Sequence, residues 1–201
     1  MLLFSSLSEL KNLLGILATI LVFIGYIPYS KDIIKGKTKP HLYSWFLWGF
    51  VTLLVFALQF SGGAGSGSFV TLAAGLMCIV VIALGFIYKS QVKIIFADTM
   101  FLILAIIALA LWLLAKQAVL STILATSVDL LGFAPTIRKS WNQPYSETLS
   151  FYFLNTVRFA LALIALQTYS IVTALYPISW LGINFLFAIM LMVRRKQLAK
   201  N

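Results

Sequence analysis

Residues 25–48 read Gly-Tyr-Ile-Pro-Tyr-Ser-Lys-Asp-Ile-Ile-Lys-Gly-Lys-Thr-Lys-Pro-His-Leu-Tyr-Ser-Trp-Phe-Leu-Trp, and the chain contains this pattern twice. An apolar run ends in Gly-x-x-Pro, a short basic loop follows, and a Ser with aromatic neighbours opens the next apolar run. A shift of 107 residues restores it: Leu17-Ala18-Thr19, Gly25 and Pro28 return as Leu124-Ala125-Thr126, Gly132 and Pro135, and Lys31 returns as Arg138. Leu42 and Phe46 return as Leu149 and Phe153, and Ser44 meets Ser150 once the first loop is granted one extra residue. A repeat of this length implies a duplicated unit, which decides the architecture before any single helix is placed.

Composition sets the solvent. Of 201 residues, 62% are hydrophobic and 10% charged, with a mean hydropathy of +1.02. A soluble domain is about half apolar and about a quarter charged. This chain has too much apolar surface for a water-soluble core, so an all-α integral membrane protein is expected. Residues 1–9 lack a basic leader, so no cleavable signal peptide is expected. The lone Cys78 excludes an internal disulfide.

A spanning helix needs about 20 mostly apolar residues. Seven runs qualify, at 10–30, 41–60, 69–88, 98–115, 118–137, 149–169 and 171–193. Ser6-x-x-Glu9 reads as a capping box for the first. Asp98 suits the positive end of the fourth. Residues 61–68 (Ser-Gly-Gly-Ala-Gly-Ser-Gly-Ser) form a flexible turn. Twelve of the fifteen basic residues fall after the first, third, fifth and seventh runs, all on one face. Basic loops stay cytoplasmic, which puts the N-terminus outside and the C-terminus inside; a plasma (inner) membrane location is expected. Charges sorted by loop parity are no nucleic-acid surface, despite the net charge of +10.

The repeat then divides the chain into a first three-helix unit (residues 1–90), a linker helix (91–117) and a second three-helix unit with a basic tail (118–201). The linker flips the chain once more, so two units of odd helix number share one orientation. Parallel repeats of this kind are a transporter plan.

This arrangement resembles the PQ-loop superfamily, whose members include the SWEET and SemiSWEET sugar transporters, the lysosomal cystine and cationic amino-acid exporters, and the KDEL receptor. The likeness rests on Pro28 to Ser44 and Pro135 to Ser150, above all on Pro135-Thr136-Ile137-Arg138-Lys139 followed by Glu147-Thr148-Leu149-Ser150. The name-giving Gln is Tyr29 in one copy and Thr136 in the other. The prolines that plant SWEETs place on helices 2 and 6 read Ser44 and Ser150. Where sugar carriers often show Pro-Asn, helix 7 has Pro177-Ile178. The resemblance implies alternating access around a site near mid-membrane. Gly25 with Pro28, and Gly132 with Pro135, are the expected hinges, because a helical proline loses a hydrogen bond and crowds the turn before it.

Two charges fall where lipid should be. Asp129 lies eight residues before Ile137 and Arg158 eight after Ser150, so both sit about 12 Å from the basic face at a rise of about 1.5 Å per residue. Charges at such depth face protein or water. Their counterparts in the first copy are Val22 and about Thr52, so the chemistry is asymmetric. Three readings stand: a structural salt bridge, a substrate site, or proton coupling through Asp129. Asn155 shares a helix face with Arg158, and fits either a substrate or a neighbouring helix. Asn184 on helix 7 is similar. Trp48 could supply an aromatic floor opposite Leu154 or Asn155. Trp45, Tyr43, Tyr152 and Trp180 read as interface-belt residues, and His41 as a solvated turn residue. Gly75 and Gly85 suit close helix packing.

No nucleophile–base pair, phosphate loop or metal-ligand spacing is present in the sequence, so no enzyme, cofactor or metal is expected. The reading is a carrier of a small polar metabolite, sugar or amino-acid/organic-acid-like. The alternatives are a proton-coupled exporter of amino-acid-like solutes, or a non-transporting receptor on the same scaffold. Its partners are a small-molecule substrate, protons in the coupled variant, and the bilayer; a monomer suffices and an oligomer is compatible with it.

Overall fold

Long apolar runs with no strand-like alternation fold as helices. The computed structural model describes residues 2–36, 40, 42–89, 96–147 and 149–198, and among them every regular element is helical. Seven α-helices follow one another: α1 (Leu2–Ile34), α2 (Leu42–Ser61), α3 (Phe69–Ile87), α4 (Phe96–Leu113), α5 (Ala118–Asn142), α6 (Leu149–Ala165) and α7 (Ile171–Leu198). Short 3₁₀ turns occupy Gly65–Ser68 and Pro144–Ser146. Three helical segments, Ser6–Ile34, Gly65–Ile87 and Ile171–Leu198, are long and apolar enough to cross a membrane. Four shorter apolar segments lie in α2, α4, α5 and α6.

Local chemistry stops the helices. Gly36 closes α1 at φ +68°, its N–H donating to the Ile33 carbonyl, and Gly63 turns the chain after α2 at φ +80°. Such left-handed residues cap helices most cheaply as glycine. Ser170 opens α7: its N–H donates to Thr173 Oγ1 at 2.9 Å, and the Thr173 N–H donates back to Ser170 Oγ at 3.3 Å. This reciprocal arrangement satisfies two otherwise orphaned donors.

Several boundaries differ from the sequence reading. Ser6 and Glu9 lie inside α1 and do not cap it, because the helix is already formed from Leu2. α1, α5 and α7 continue past the expected membrane edge to Ile34, Asn142 and Leu198. Hydropathy marks where apolar residues stop, and a helix needs only backbone hydrogen bonds to go on. Pro28 falls inside α1 and Pro135 inside α5, so neither ends its helix. The polar side chains of Asp98 and Ser44, and all of His41, lie outside what is described.

Packing follows the repeat. α3 touches both α1 and α2, and α7 touches both α5 and α6; α1 meets α6, and α2 meets α5. α4 lies against α5 and α2. Directions can be read from the contacts. Gly15 in the first half of α1 abuts Ser66, and Lys11 Nζ donates to the Leu166 carbonyl just past α6 at 2.8 Å. Gln59 Nε2 at the end of α2 donates to the Thr173 carbonyl at the start of α7 at 2.9 Å. At the other end Gly85 of α3 meets Leu42 and Pro40. There the guanidiniums of Arg194 and Arg195 donate to the carbonyls of Trp141 and Pro144, tying α7 to the last turn of α5 and the turn after it.

Small residues set the spacing. A methyl group at Gly75 would sit 2.7 Å from the Leu53 side chain, and one at Gly49 would sit 3.1 Å from Cys78. These are the α2–α3 crossing points. α2 is the innermost helix, with Val51, Val55 and Leu58 wholly buried against Ala105 and Ala108 of α4 and Ala125 and Val128 of α5. The outer surface is apolar instead: Leu13, Ile16 and Phe23 on α1, Ile79 and Phe86 on α3, and Phe185 and Leu186 on α7 are all exposed.

Candidate functional site

The sequence places one carboxylate and one guanidinium at equal depth on α5 and α6, and the fold buries both. Asp129 is 2% exposed and Arg158 6%. Asp129 Oδ2 accepts two hydrogen bonds at 2.9 Å, from the Tyr176 hydroxyl and from the Trp180 indole Nε1. Both donors come from α7, spaced one turn apart, so they reach the same oxygen from one helix face. Tyr176 also lies 3.4 Å from Thr52 Oγ1, which links α2 to the cluster. Thr52 lies at about the first-copy position of Arg158, so the two copies meet here with different chemistry.

One turn further along α7, the Asn184 amide donates to the Trp180 carbonyl at 2.6 Å and its oxygen accepts from Asn155 Nδ2 at 3.3 Å. Asn155 therefore bonds to a neighbouring helix, one of the two roles the sequence left open for it. Asn184 is 1% exposed and Asn155 7%.

Arg158 packs differently. Its guanidinium carbon lies 4.7 Å from the centre of the Phe159 ring, and its Nε and Nη1 have no hydrogen-bond partner. Asp129 Oδ1 has none either. Asp129 is thus anchored to α7 and not to Arg158, and the structural salt bridge is not the arrangement found. Phe159 also stacks on Trp180, with ring centres 6.4 Å apart and planes 16° apart. Each charge is held in place by a partner of its own. Thr126, one turn before Asp129, is buried with an unpartnered Oγ1.

Trp48 reaches from α2 across to α5. Its indole nitrogen lies 2.9 Å from where a Cβ on Gly132 would be, so it covers the α5 glycine. Gly25 of α1 faces the Phe151 ring of α6 at 3.9 Å in the same sense. Each expected hinge glycine thus looks across at an aromatic ring from the other copy. These rings belong to a larger set. Tyr26 makes edge contacts with Trp45 and Phe151, Phe151 with Tyr152, Tyr152 with Phe187, and Phe133 with Phe187 and Trp180. Tyr152 is therefore buried and Trp180 partly buried against these rings, in place of the interface-belt positions expected for them. The Tyr152 hydroxyl donates to Glu147 Oε2 at 2.8 Å.

Sequence reasoning missed Tyr176 and Trp180 as ligands of Asp129. A signal existed: Tyr176, Trp180 and Asn184 recur every four residues, a polar-tipped stripe on one face of α7. A surface hollow of about 250 Å³ lies between α1 and the 65–68 turn, lined by Gly15, Ile16, Thr19, Ile20, Ser66 and Phe69, none of them in this cluster. Its walls are mainly apolar and give a charged ligand no partner. Among the described residues no group of three His, Cys, Asp or Glu side chains could hold a metal ion. In comparisons with known proteins, no family model, no curated protein and no solved structure matches the chain.

Proposed function

We propose that the chain is a seven-span membrane carrier of a small polar metabolite, working by alternating access between two like-facing three-helix units, α1–α3 and α5–α7, with α4 as the linker. Several observations support this reading. Each unit has its third helix between the other two, and the units meet through equivalent pairs, α1 with α6 and α2 with α5. Apolar side chains face outward while Asp129, Arg158, Asn155, Asn184 and Gln59 face inward, the reverse of a water-soluble protein. Helices of 17 residues, the length of α6, rise about 26 Å, which suits a thin bilayer. The resemblance to the PQ-loop superfamily points the same way.

The observation that carries the proposal is the cluster itself. Buried charges with unpartnered atoms cost several kcal/mol each, and such groups in spanning helices mark substrate or ion paths. Here they lie where the two units meet, shut off from both ends. A substrate reaches them only when the units part, which is the motion a carrier needs. A receptor on this scaffold would hold its ligand at an open end.

The test is flux. Purified protein in proteoliposomes is expected to move at least one polar solute down its gradient, and Asp129→Asn to change that flux. If the solute accumulates against its gradient when a proton gradient is imposed, and Asp129→Asn abolishes accumulation but leaves exchange, the carrier is proton-coupled. Ligand binding without flux for any solute overturns the carrier reading in favour of a receptor.

A further inference from the structure

The end of the molecule that carries the basic loops holds a second cluster, apart from the buried charges. Arg194, Arg195 and Lys196 follow one another near the end of α7. Arg194 Nε donates to the Trp141 carbonyl at 2.9 Å, and its Nη1 to Gln197 Oε1 at 2.8 Å. Arg195 Nε donates to the Pro144 carbonyl at 3.1 Å, and its Nη2 to the Glu147 carbonyl at 2.5 Å. All four acceptors are neutral oxygens, so these bonds fix the guanidiniums without cancelling their charge. A guanidinium carries more N–H donors than the two used in each case. The acid in this segment, Glu147, accepts the Tyr152 hydroxyl on its Oε2 at 2.8 Å. Each guanidinium also lies over a ring, Arg194 at 4.8 Å from the centre of Trp141 and Arg195 at 5.1 Å from that of Tyr145. These rings are not buried: Trp141 is 52% exposed and Tyr145 66%. The helix surfaces leading to them are apolar, with Ile123 and Leu131 exposed on α5 and Leu186 and Val193 on α7.

We propose that this cluster is a docking surface for an anionic phospholipid. Its phosphate lies on the guanidiniums of Arg194 and Arg195, with Lys196 beside them, and its acyl chains lie along the apolar outer faces of α5 and α7. Guanidiniums recognise phosphate through paired hydrogen bonds. Exposed Trp and Tyr rings settle at headgroup level, and basic residues next to a spanning helix attract anionic headgroups. The carbonyls that already hold the two arginines reduce the ordering cost of binding. The apolar faces favour a whole lipid over a soluble phosphate, which has nothing to lay against them. The inference needs the chain to span a bilayer but not to be a carrier, so it is tested apart from flux.

The experiment titrates phosphatidylglycerol, phosphatidylcholine and soluble glycerol phosphate into the full chain in detergent, and counts bound lipid by native mass spectrometry. Phosphatidylglycerol is expected to bind about tenfold or more tighter than phosphatidylcholine. Soluble glycerol phosphate at equal concentration is expected not to displace it. Arg194→Gln combined with Arg195→Gln is expected to bring the two lipids to within about twofold of each other. Lys31→Gln combined with Lys35→Gln removes the same charge from exposed positions at the end of α1, and is expected to leave the preference unchanged. Arg194→Lys combined with Arg195→Lys keeps the charge but loses the fork, and serves if the Gln pair does not fold; it is expected to weaken the preference severalfold. Equal binding of the two lipids by the unmodified chain overturns the proposal, as does a preference that survives both arginine pairs. An equal loss from the Lys31 and Lys35 pair overturns it in favour of diffuse surface charge. Displacement by glycerol phosphate as effective as by the lipid itself overturns it in favour of a site for free anions.

Discussion

Asp129 is held by two donors, and each can be removed alone. Trp180→Phe keeps a ring against Phe159 but deletes the indole N–H. Tyr176→Phe keeps the ring but deletes the hydroxyl shared with Thr52. A hydrogen bond to a charged group contributes about 1.5–3 kcal/mol. Each variant is expected to unfold at lower temperature, with flux reduced about tenfold or more, measured by thermal denaturation and liposome uptake. Unchanged stability and flux in both would show that Oδ2 needs no such donors. The charged residues themselves were legible in the sequence, because an ionisable group in an apolar run has no bland placement. Their partners were harder to read. Trp180 and Tyr152 have the look of interface aromatics, and periodicity alone does not say which helix a face will meet. Direct pairing of Asp129 with Arg158 was one reading open to the sequence. Equal depth permits it, but side-chain direction, set by α7, decides against it.

The two glycines expected as hinges are not equal. A Cβ at Gly132 would press on Trp48 at 2.9 Å, whereas one at Gly25 would only touch Phe151 at 3.9 Å. Gly132→Ala is therefore expected to lower flux severalfold while Gly25→Ala is nearly silent. Trp48→Phe in the Gly132→Ala background is expected to restore part of the loss. Equal effects at the two glycines would separate hinge function from this contact. At the opposite end, a side chain at Gly67 would meet the Ala162 carbonyl at 2.8 Å and the Leu166 N–H at 3.0 Å, both backbone atoms that cannot step aside. Gly67→Val is expected to destabilise the protein by about 1–3 kcal/mol, read by thermal denaturation, because overpacking there forces α6 away from α1 and α3. The sequence located the helices well and their ends less well. Apolar runs report the part of a helix that meets an apolar surround, while α1, α5 and α7 continue as polar helix beyond it. Pro28 and Pro135 each lie inside a continuous helix, since losing one backbone bond does not outweigh the turns packed on either side.

The contacts divide the molecule into two ends. Lys11, Gln59, Ala64 and Gln167 join the copies at one end through side chain-to-backbone and backbone hydrogen bonds. Rings join them at the other, Tyr26 on Phe151 and Trp48 over Gly132. The charged cluster lies between, closed from both sides. The duplication legible in residues 25–48 and 132–155 anticipated this pairing, because two copies of one unit bury equivalent faces. It could not anticipate that the charges, which only the second copy carries, would be enclosed by residues from both. In the proposed carrier the two ends open in turn. Spin labels at Ser61 and Thr168 would report one end, and labels at Lys35 and Asn142 the other, each pair spanning the two units in a Cys78→Ser background. Distances measured by double electron–electron resonance, with and without a transported solute, are expected to change reciprocally: as one pair lengthens, the other shortens. Distances that stay fixed, or that lengthen together, would contradict alternating access.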